Sequence, residues 1–405
     1  MLGKALKFLT SLKLTAVCLA LAIVLVFIGT LAQVDEGLYQ AQARYFKSFL
    51  IHRPLNLPVV YPGGYLIGIV LMLNLLAAHA IRFKPTRKKI GLFMIHAGVV
   101  LLLFGQLLTD LLSRESSMPL VEGQTKNYSE SFRENELALV DVSNPQNDSV
   151  ICLPETMLAK QREFSVPQTP FTLRVKHYWP NSILSTKPGP VAVKADATSG
   201  ICSEAQVYVF PVPASAKSNE RDMPSSVIEV LVAGSAGVSP ASIPLKSLGS
   251  WLVSPHINEP QHFTWQGASY NLALRFTRHY LFTGSAEPFK IHLLKFDHDV
   301  YRGTEALESG GIPKNFSSRV RVQNPATGED REVVIKMNSP LRYKGETFYQ
   351  ASFDETDPRA RATVLEVVHN PSWLTPYLSC LLVGFGLLVQ FCSHLAGFVR
   401  KGSMA

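Results

Sequence analysis

Four uncharged apolar stretches, three near the start and one near the end, set the outline of this 405-residue chain. Leu14–Val34 reads LTAVCLALAIVLVFIGTLAQV, and Tyr65–Ile81 follows the breaker Pro62-Gly63-Gly64. Ile90–Thr109 reads IGLFMIHAGVVLLLFGQLLT, and Pro371–Val399 completes the set. About 20 residues of helix cross a ~30 Å hydrocarbon core. Lipid offers no partner to an open strand edge, so each stretch predicts a transmembrane helix. The first is too long for the apolar part of a signal peptide and lacks a clean small-x-small cleavage site, which predicts an uncleaved anchor. The organisation expected is an N-terminal membrane region, 1–113, with spans at about 14–34, 65–81 and 90–112. A soluble-type domain, 114–370, precedes a C-terminal span and tail, 371–405.

Basic residues orient these spans. Lys4, Lys7 and Lys13 precede the first, Arg82, Lys84, Arg87, Lys88 and Lys89 crowd the link between the second and third, and Arg400 and Lys401 follow the fourth. Four spans place all three groups on one side, which the positive-inside rule makes cytoplasmic. Both termini are then cytoplasmic and the large domain extracytoplasmic. The net charge of +8 reflects these anchoring groups, and such clusters at span ends give no reason to expect nucleic-acid binding.

Within 114–370 the pattern alternates with the period of strands. Phe171–Tyr178, Val227–Val232, Tyr270–Phe276 and Phe289–Phe296 are examples. Asn324-Pro325-Ala326-Thr327-Gly328 predicts a hairpin turn within Ser318–Met337, and Lys344-Gly345-Glu346 a second. Ser182–Pro190 and Pro213–Ser226 read as loops or a subdomain boundary. The fold class is thus membrane α + β: three N-terminal spans and one C-terminal span around a large antiparallel β-rich domain, a sandwich or a pair of β lobes.

Chemistry-bearing residues are few. Cys18, Cys380 and Cys392 fall in spans and read as small apolar side chains. Cys152 and Cys202 fall in the exported domain, where a disulfide between them is open. Without a Cys-x-x-Cys pair, thiol exchange is not expected. His292, Asp297, His298 and Asp299 lie near a strand end with irregular spacing, which reads as a polar strand end before it reads as a metal site. His369 marks the mouth of the last span, His394 reads as a snorkelling side chain, and Asn74 as an interhelical hydrogen-bonder. No catalytic triad, phosphate loop or carboxylate pair stands out.

His79 and His96 are different. Ionisable groups inside a span are costly and mark function by default. Each lies on the order of 5–10 Å inside the basic boundary at 1.5 Å per residue. With a short link between spans two and three, the two imidazoles reach similar depth. Imidazole is a strong axial ligand of haem iron, and Ala77, Ala78, Ala80, Ala97 and Gly98 leave small neighbours. The plain alternative is a pair of interfacial histidines bonded to backbone or headgroups.

In order along the chain stand Phe8-Leu9-Thr10-Ser11-Leu12-Lys13-Leu14, Gly29-Thr30-Leu31-Ala32-Gln33, Asn74–His79 and Ile95–Gly98. Phe296–Asp299, Ile312–Ser318, Met337–Leu341, Tyr343–Gln350 and Asn370-Pro371 follow. Together, on a three-plus-one span plan, they resemble the ResB family of cytochrome c biogenesis proteins, also called CcsB, of system II. The resemblance implies a bacterial inner-membrane subunit, not catalytic alone, of a haem-export and haem lyase complex. It implies a ResC/CcsA-type membrane partner, apocytochrome c as client, a thiol-reducing thioredoxin-like protein nearby, and haem b shared transiently with the partner. It also implies that His79 is one axial ligand of the haem iron, with His96 lining the site or competing as a same-chain ligand. Trp179, Trp251, Trp265 and Trp373 are scattered and form no tryptophan-rich haem segment, so the outer haem site is expected on a separate chain. Two other classes stay open: a b-type haem redox subunit using both histidines, and a membrane-anchored β scaffold without haem.

Overall fold

A computed structural model describes residues 7–54, 58–82, 86, 89–215, 221–233, 245–282, 287–301, 313–353 and 361–402. Lys4, Lys84, Arg87 and Lys88 of the basic clusters, and Ile312 of one motif, lie outside the described residues. The chain divides into two compact units. One comprises the described residues up to Arg114 and from Val368 on, and the other those between Glu115 and Val367.

Four helices of the first unit are long and apolar enough to cross a membrane: α1 (Leu12–Ala41), α2 (Gly64–Arg82), α3 (Ile90–Leu112) and α4 (Thr375–Gly402). The chain is a membrane protein of the expected class. α1 runs past the apolar stretch and breaks at Gly37, whose φ of 75° and ψ of 159° fall where only glycine sits without strain. α4 starts later than the apolar stretch suggests, because Asn370–Ser372 forms a turn first. The Ser372 amide donates to Asn370 Oδ1 at 2.9 Å and the Thr375 amide to the Ser372 carbonyl, and Pro376 in the first turn needs no amide partner.

α1 presents Cys18, Leu25 and Ala32, seven residues apart, to a small core with Ile67 of α2. Asn74 of α2 is 2 % exposed and links the two helices as expected: Thr15 Oγ1 donates to its Oδ1 at 2.6 Å, while its Nδ2 donates to the Leu9 carbonyl at 2.5 Å. α3 meets α4 through Gly91, Gly98 and Gly105, another seven-residue stripe. A Cβ on Gly98 would stand 2.6 Å from Val383 Cγ2, and one on Gly91 2.6 Å from the Gly386 carbonyl oxygen. Gly98 therefore serves backbone approach between α3 and α4; sequence reading had assigned it to room beside His96.

The second unit is antiparallel throughout its named ladders and holds two lobes. Its largest sheet orders the strands Gln261–Trp265, Ala268–Tyr280, Tyr128–Asp141, Arg114–Val121, Ala362–His369, Glu346–Phe353 and Leu341–Tyr343, with Ser149–Pro154 beside Tyr128–Asp141. One core gathers Leu137, Leu139, Phe171, Ile228, Trp251 and Leu272. The other gathers Met118, Phe289, Ile291, Val320, Phe348 and Leu365. The predicted hairpins form. Pro313–Asn324 pairs with Glu329–Lys336, Asn324 Oδ1 accepting from the Ala326 amide at 3.0 Å and Gly328 at φ 68°. Lys344 and Gly345 both take positive φ between Leu341–Tyr343 and Glu346–Phe353, the two-residue turn whose twist matches its strands. One expectation fails: Ser182–Ser185, read as loop, pairs with Tyr208–Pro211, because Leu184 packs beside Val209 in a small local core.

A histidine pair inside the helices

Antiparallel register brings the site together. On α2 and α3, Tyr65 meets Asp110 and His79 meets His96. In both pairs the residue numbers sum to 175, as expected for two helices running oppositely at equal rise. His79 Nε2 and His96 Nδ1 lie 2.9 Å apart, and His79 Nδ1 lies 3.0 Å from the Leu75 carbonyl oxygen one turn back. The rings sit edge to face at 4.6 Å between centroids, with Phe93 at 6.2 Å from His79.

The hydrogen-bond chain assigns the tautomers. A carbonyl oxygen only accepts, so in a neutral pair His79 carries its proton on Nδ1 and donates it to Leu75. Its Nε2 is then an acceptor, and His96 Nδ1–H donates into it. This leaves the lone pair of His96 on Nε2. A ring N–H held by a backbone carbonyl is the usual outer support of a metal-bound imidazole, since it fixes the tautomer and raises basicity at the other nitrogen. His79 thus has the chemistry of an axial ligand through Nε2, at the atom His96 now covers. The two imidazoles touch directly, so binding one metal from opposite sides would first require them to part.

Other candidates disperse. His292 Nδ1 shares a hydrogen bond with Thr125 Oγ1 at 2.8 Å, Asp297 pairs with Lys295 at 2.5 Å, and His298 stacks near Phe296. Among the described residues no three His, Cys, Asp or Glu side chains are grouped to hold a metal. His394 Nε2 accepts from the Gln390 amide at 2.7 Å, and His369 ends its strand. Cys152 and Cys202 are both free thiols. Desolvation, and for Cys152 the nearby Glu136 carboxylate, pushes them above the ordinary thiol value, which makes them poor nucleophiles.

Sequence reading missed a second polar group on the same helix pair. Asp110 of α3 takes the Tyr65 hydroxyl and an ion pair with Lys47 at 2.5 Å. The signal was present as one aspartate at the end of an otherwise uncharged stretch. It also missed the cluster that joins α3 to the start of α4, where Thr109 and Ser372 hydroxyls meet at 2.6 Å.

Two comparisons with known proteins bear on this chain. The model of the ResB-like family matches residues 259–365, a segment of the β unit that contains neither histidine of the pair. Protein NrfI of Wolinella succinogenes is 27% identical over 124 residues, covering 29% of this chain and 13% of that relative. The family segment runs from Glu259, just before the strand Gln261–Trp265, into the strand Ala362–His369, and the similarity to the ResB-like family rests on this part of the β unit.

Proposed function

We propose that this chain acts in cytochrome c biogenesis as the ResB-type subunit of a haem-export and assembly complex. Its β unit faces the extracytoplasmic side and docks apocytochrome c. A ResC/CcsA-type partner supplies the opposite haem ligand, and a thioredoxin-like protein keeps the client thiols reduced. The observation that carries the reading is the His79–His96 contact, held within α2 and α3 with Nδ1 of His79 at the Leu75 carbonyl. Ionisable groups inside spans mark ligand paths, and this one has the donor set of a metal ligand with its outer support.

Haem supplies the iron that an imidazole nitrogen can hold; the residues of this chain do the rest. Leu75 fixes the ring of His79 and directs Nε2 toward His96. His96 occupies that lone pair with its own N–H and would have to turn aside for His79 Nε2 to hold a metal. The family-matched segment lies in the β unit, which supports the docking half of the reading.

The test is the haem absorbance of the chain co-purified with its partner. His79→Ala is expected to lose most of the Soret intensity, and added imidazole to restore it. His96→Ala is expected to retain haem, because only the covering N–H is lost. An unchanged Soret band in His79→Ala would remove that residue from the site. Equal losses in both variants would favour a haem held by the two histidines of this chain.

A further inference from the structure

At the other end of α2 and α3, about 20 Å along the helix from the histidine pair at 1.5 Å per residue, the two helices part around a cavity of about 330 Å³. Its walls are two stripes. Tyr65, Gly68 and Met72 come from α2, and Leu103, Gln106 and Asp110 from α3. The notch exists because Gly68 has no side chain, and a Cβ added there would meet nothing within 4 Å. The volume is that of a small-molecule pocket.

Polar groups are distributed unevenly over it. At the mouth, Lys47 and Asp110 neutralise each other at 2.5 Å, and Tyr65 donates its hydroxyl to the same carboxylate. The mouth is therefore occupied by a balanced set and offers no surplus charge to a phosphate. One turn back along α3, on the face that carries Asp110, the exposed Gln106 lines the cavity and makes no hydrogen bond among the described residues. An amide left unpaired within hydrocarbon costs several kcal/mol, and interhelical bonding, the ordinary use of such a residue, is absent for Gln106. Two donors and an acceptor thus line an otherwise apolar notch between leucine and methionine side chains.

We infer that this notch binds a neutral lipophile whose head group carries carbonyl oxygens, with the head at Gln106 and the tail leaving between α2 and α3 into the bilayer. Isoprenoid quinones and acylglycerols share this chemistry. A phospholipid does not, because the paired mouth gives its phosphate no counter-charge. A helix of a partner protein is a poorer occupant, since the space is a notch deepened at one glycine and not a flat face. The site is independent of the histidine pair and of the haem reading.

The full-length chain in phosphatidylcholine nanodiscs, photolabelled with a diazirine-bearing short-chain benzoquinone and, separately, with a diazirine-bearing diacylglycerol, tests this by mass spectrometry of the labelled peptides. Label is expected on Tyr65–Met72 and Leu103–Asp110, competed by the unlabelled parent compound and not by excess phosphatidylglycerol. Competition by the quinone or by the diacylglycerol identifies the source. Gly68→Leu, which fills the notch, is expected to lower labelling at least tenfold. Gln106→Leu, which removes the amide yet suits a membrane helix, is expected to lower it about fivefold. Undiminished labelling in both variants, competition by phosphatidylglycerol alone, or replacement of the label by the co-expressed partner would each overturn the site.

Discussion

The helical unit and the β unit hold together by opposite means. In the β unit the large side chains are inside: Phe171, Phe289 and Phe348 are essentially buried, and removing apolar area from water supplies the driving force. In the helical unit many large side chains are outside, with Phe27, Leu381, Leu388 and Phe391 all exposed. Beside the small apolar core around Leu25 and Ile67, the contacts between the helices are small or polar: Gly91, Gly98 and Gly105 against α4, Asn74 against α1, His79 against His96. Lipid tails are as apolar as leucine, so burying leucine between spans gains little, and close backbone approach with a few hydrogen bonds takes over. Buried polar residues of the β unit, such as Ser318, Gln350 and Thr363, bond to one another within the strands, whereas one inside the helices is either a joint or a site.

That contrast breaks if truncations in the two units cost the same. Phe171→Ala or Phe289→Ala should destabilise its own β lobe by about 3–5 kcal/mol, read as faster hydrogen exchange confined to that lobe's strands. Leu381→Ala on the outer face of α4 should change exchange little. Next in size, Gly98→Leu wedges α3 from Val383 and should cost about 1–3 kcal/mol in reversible detergent unfolding. Gly384→Leu is the control, since an added Cβ there meets nothing within 4 Å; an equal loss in both would mean that the glycine stripe does not form the contact. Asn74→Leu removes its bonds with Thr15 of α1 and with the Leu9 and Ser11 carbonyls just before it and should cost about 1–2 kcal/mol on the same assay.

The smallest effect sharpens the comparison from the β side. Burial and the neighbouring Glu115 hold the Glu366 carboxyl above the ordinary glutamate value of 4.5. A carboxyl raised in the folded state binds protons there that the unfolded chain has released. Its favourable contribution is full below pH 4.5 and is lost as pH rises through the folded value. Glu366→Gln should therefore melt slightly higher than the parent at neutral pH, with the difference vanishing below pH 4.5. A difference constant across pH would point to packing instead.

Legibility followed the same divide. His79 and His96 stood out because any imidazole in a span is conspicuous, and their shared depth followed from a short link between helices. Their tautomers did not, because these depend on which nitrogen faces the Leu75 carbonyl. Gly98 was visible but misassigned: a small residue beside a histidine reads equally as room for a ligand or as room for another helix, and only α4 decides. Gln106 passed unremarked within Ile90–Thr109, as a single amide among leucines. The strand Tyr128–Asp141 went unread because charged residues such as Glu130, Arg133 and Glu134 obscure its alternation, while the hairpin turns at Gly328 and Gly345 were legible from glycine chemistry alone.

Local features of the chain were enough to set the number of apolar helices, the β character between them and the two histidines placed within those helices. These follow from local quantities, namely apolar run length, period and the cost of a polar group in hydrocarbon. The packing alone shows that α3 pairs with α4 through glycines and with α2 through His96 to His79 and Asp110 to Tyr65. Helix faces carry no partner's name in the one-dimensional chain. Which face meets which is set by the joint fit of backbones and hydrogen bonds from residues as far apart as Thr109 and Ser372.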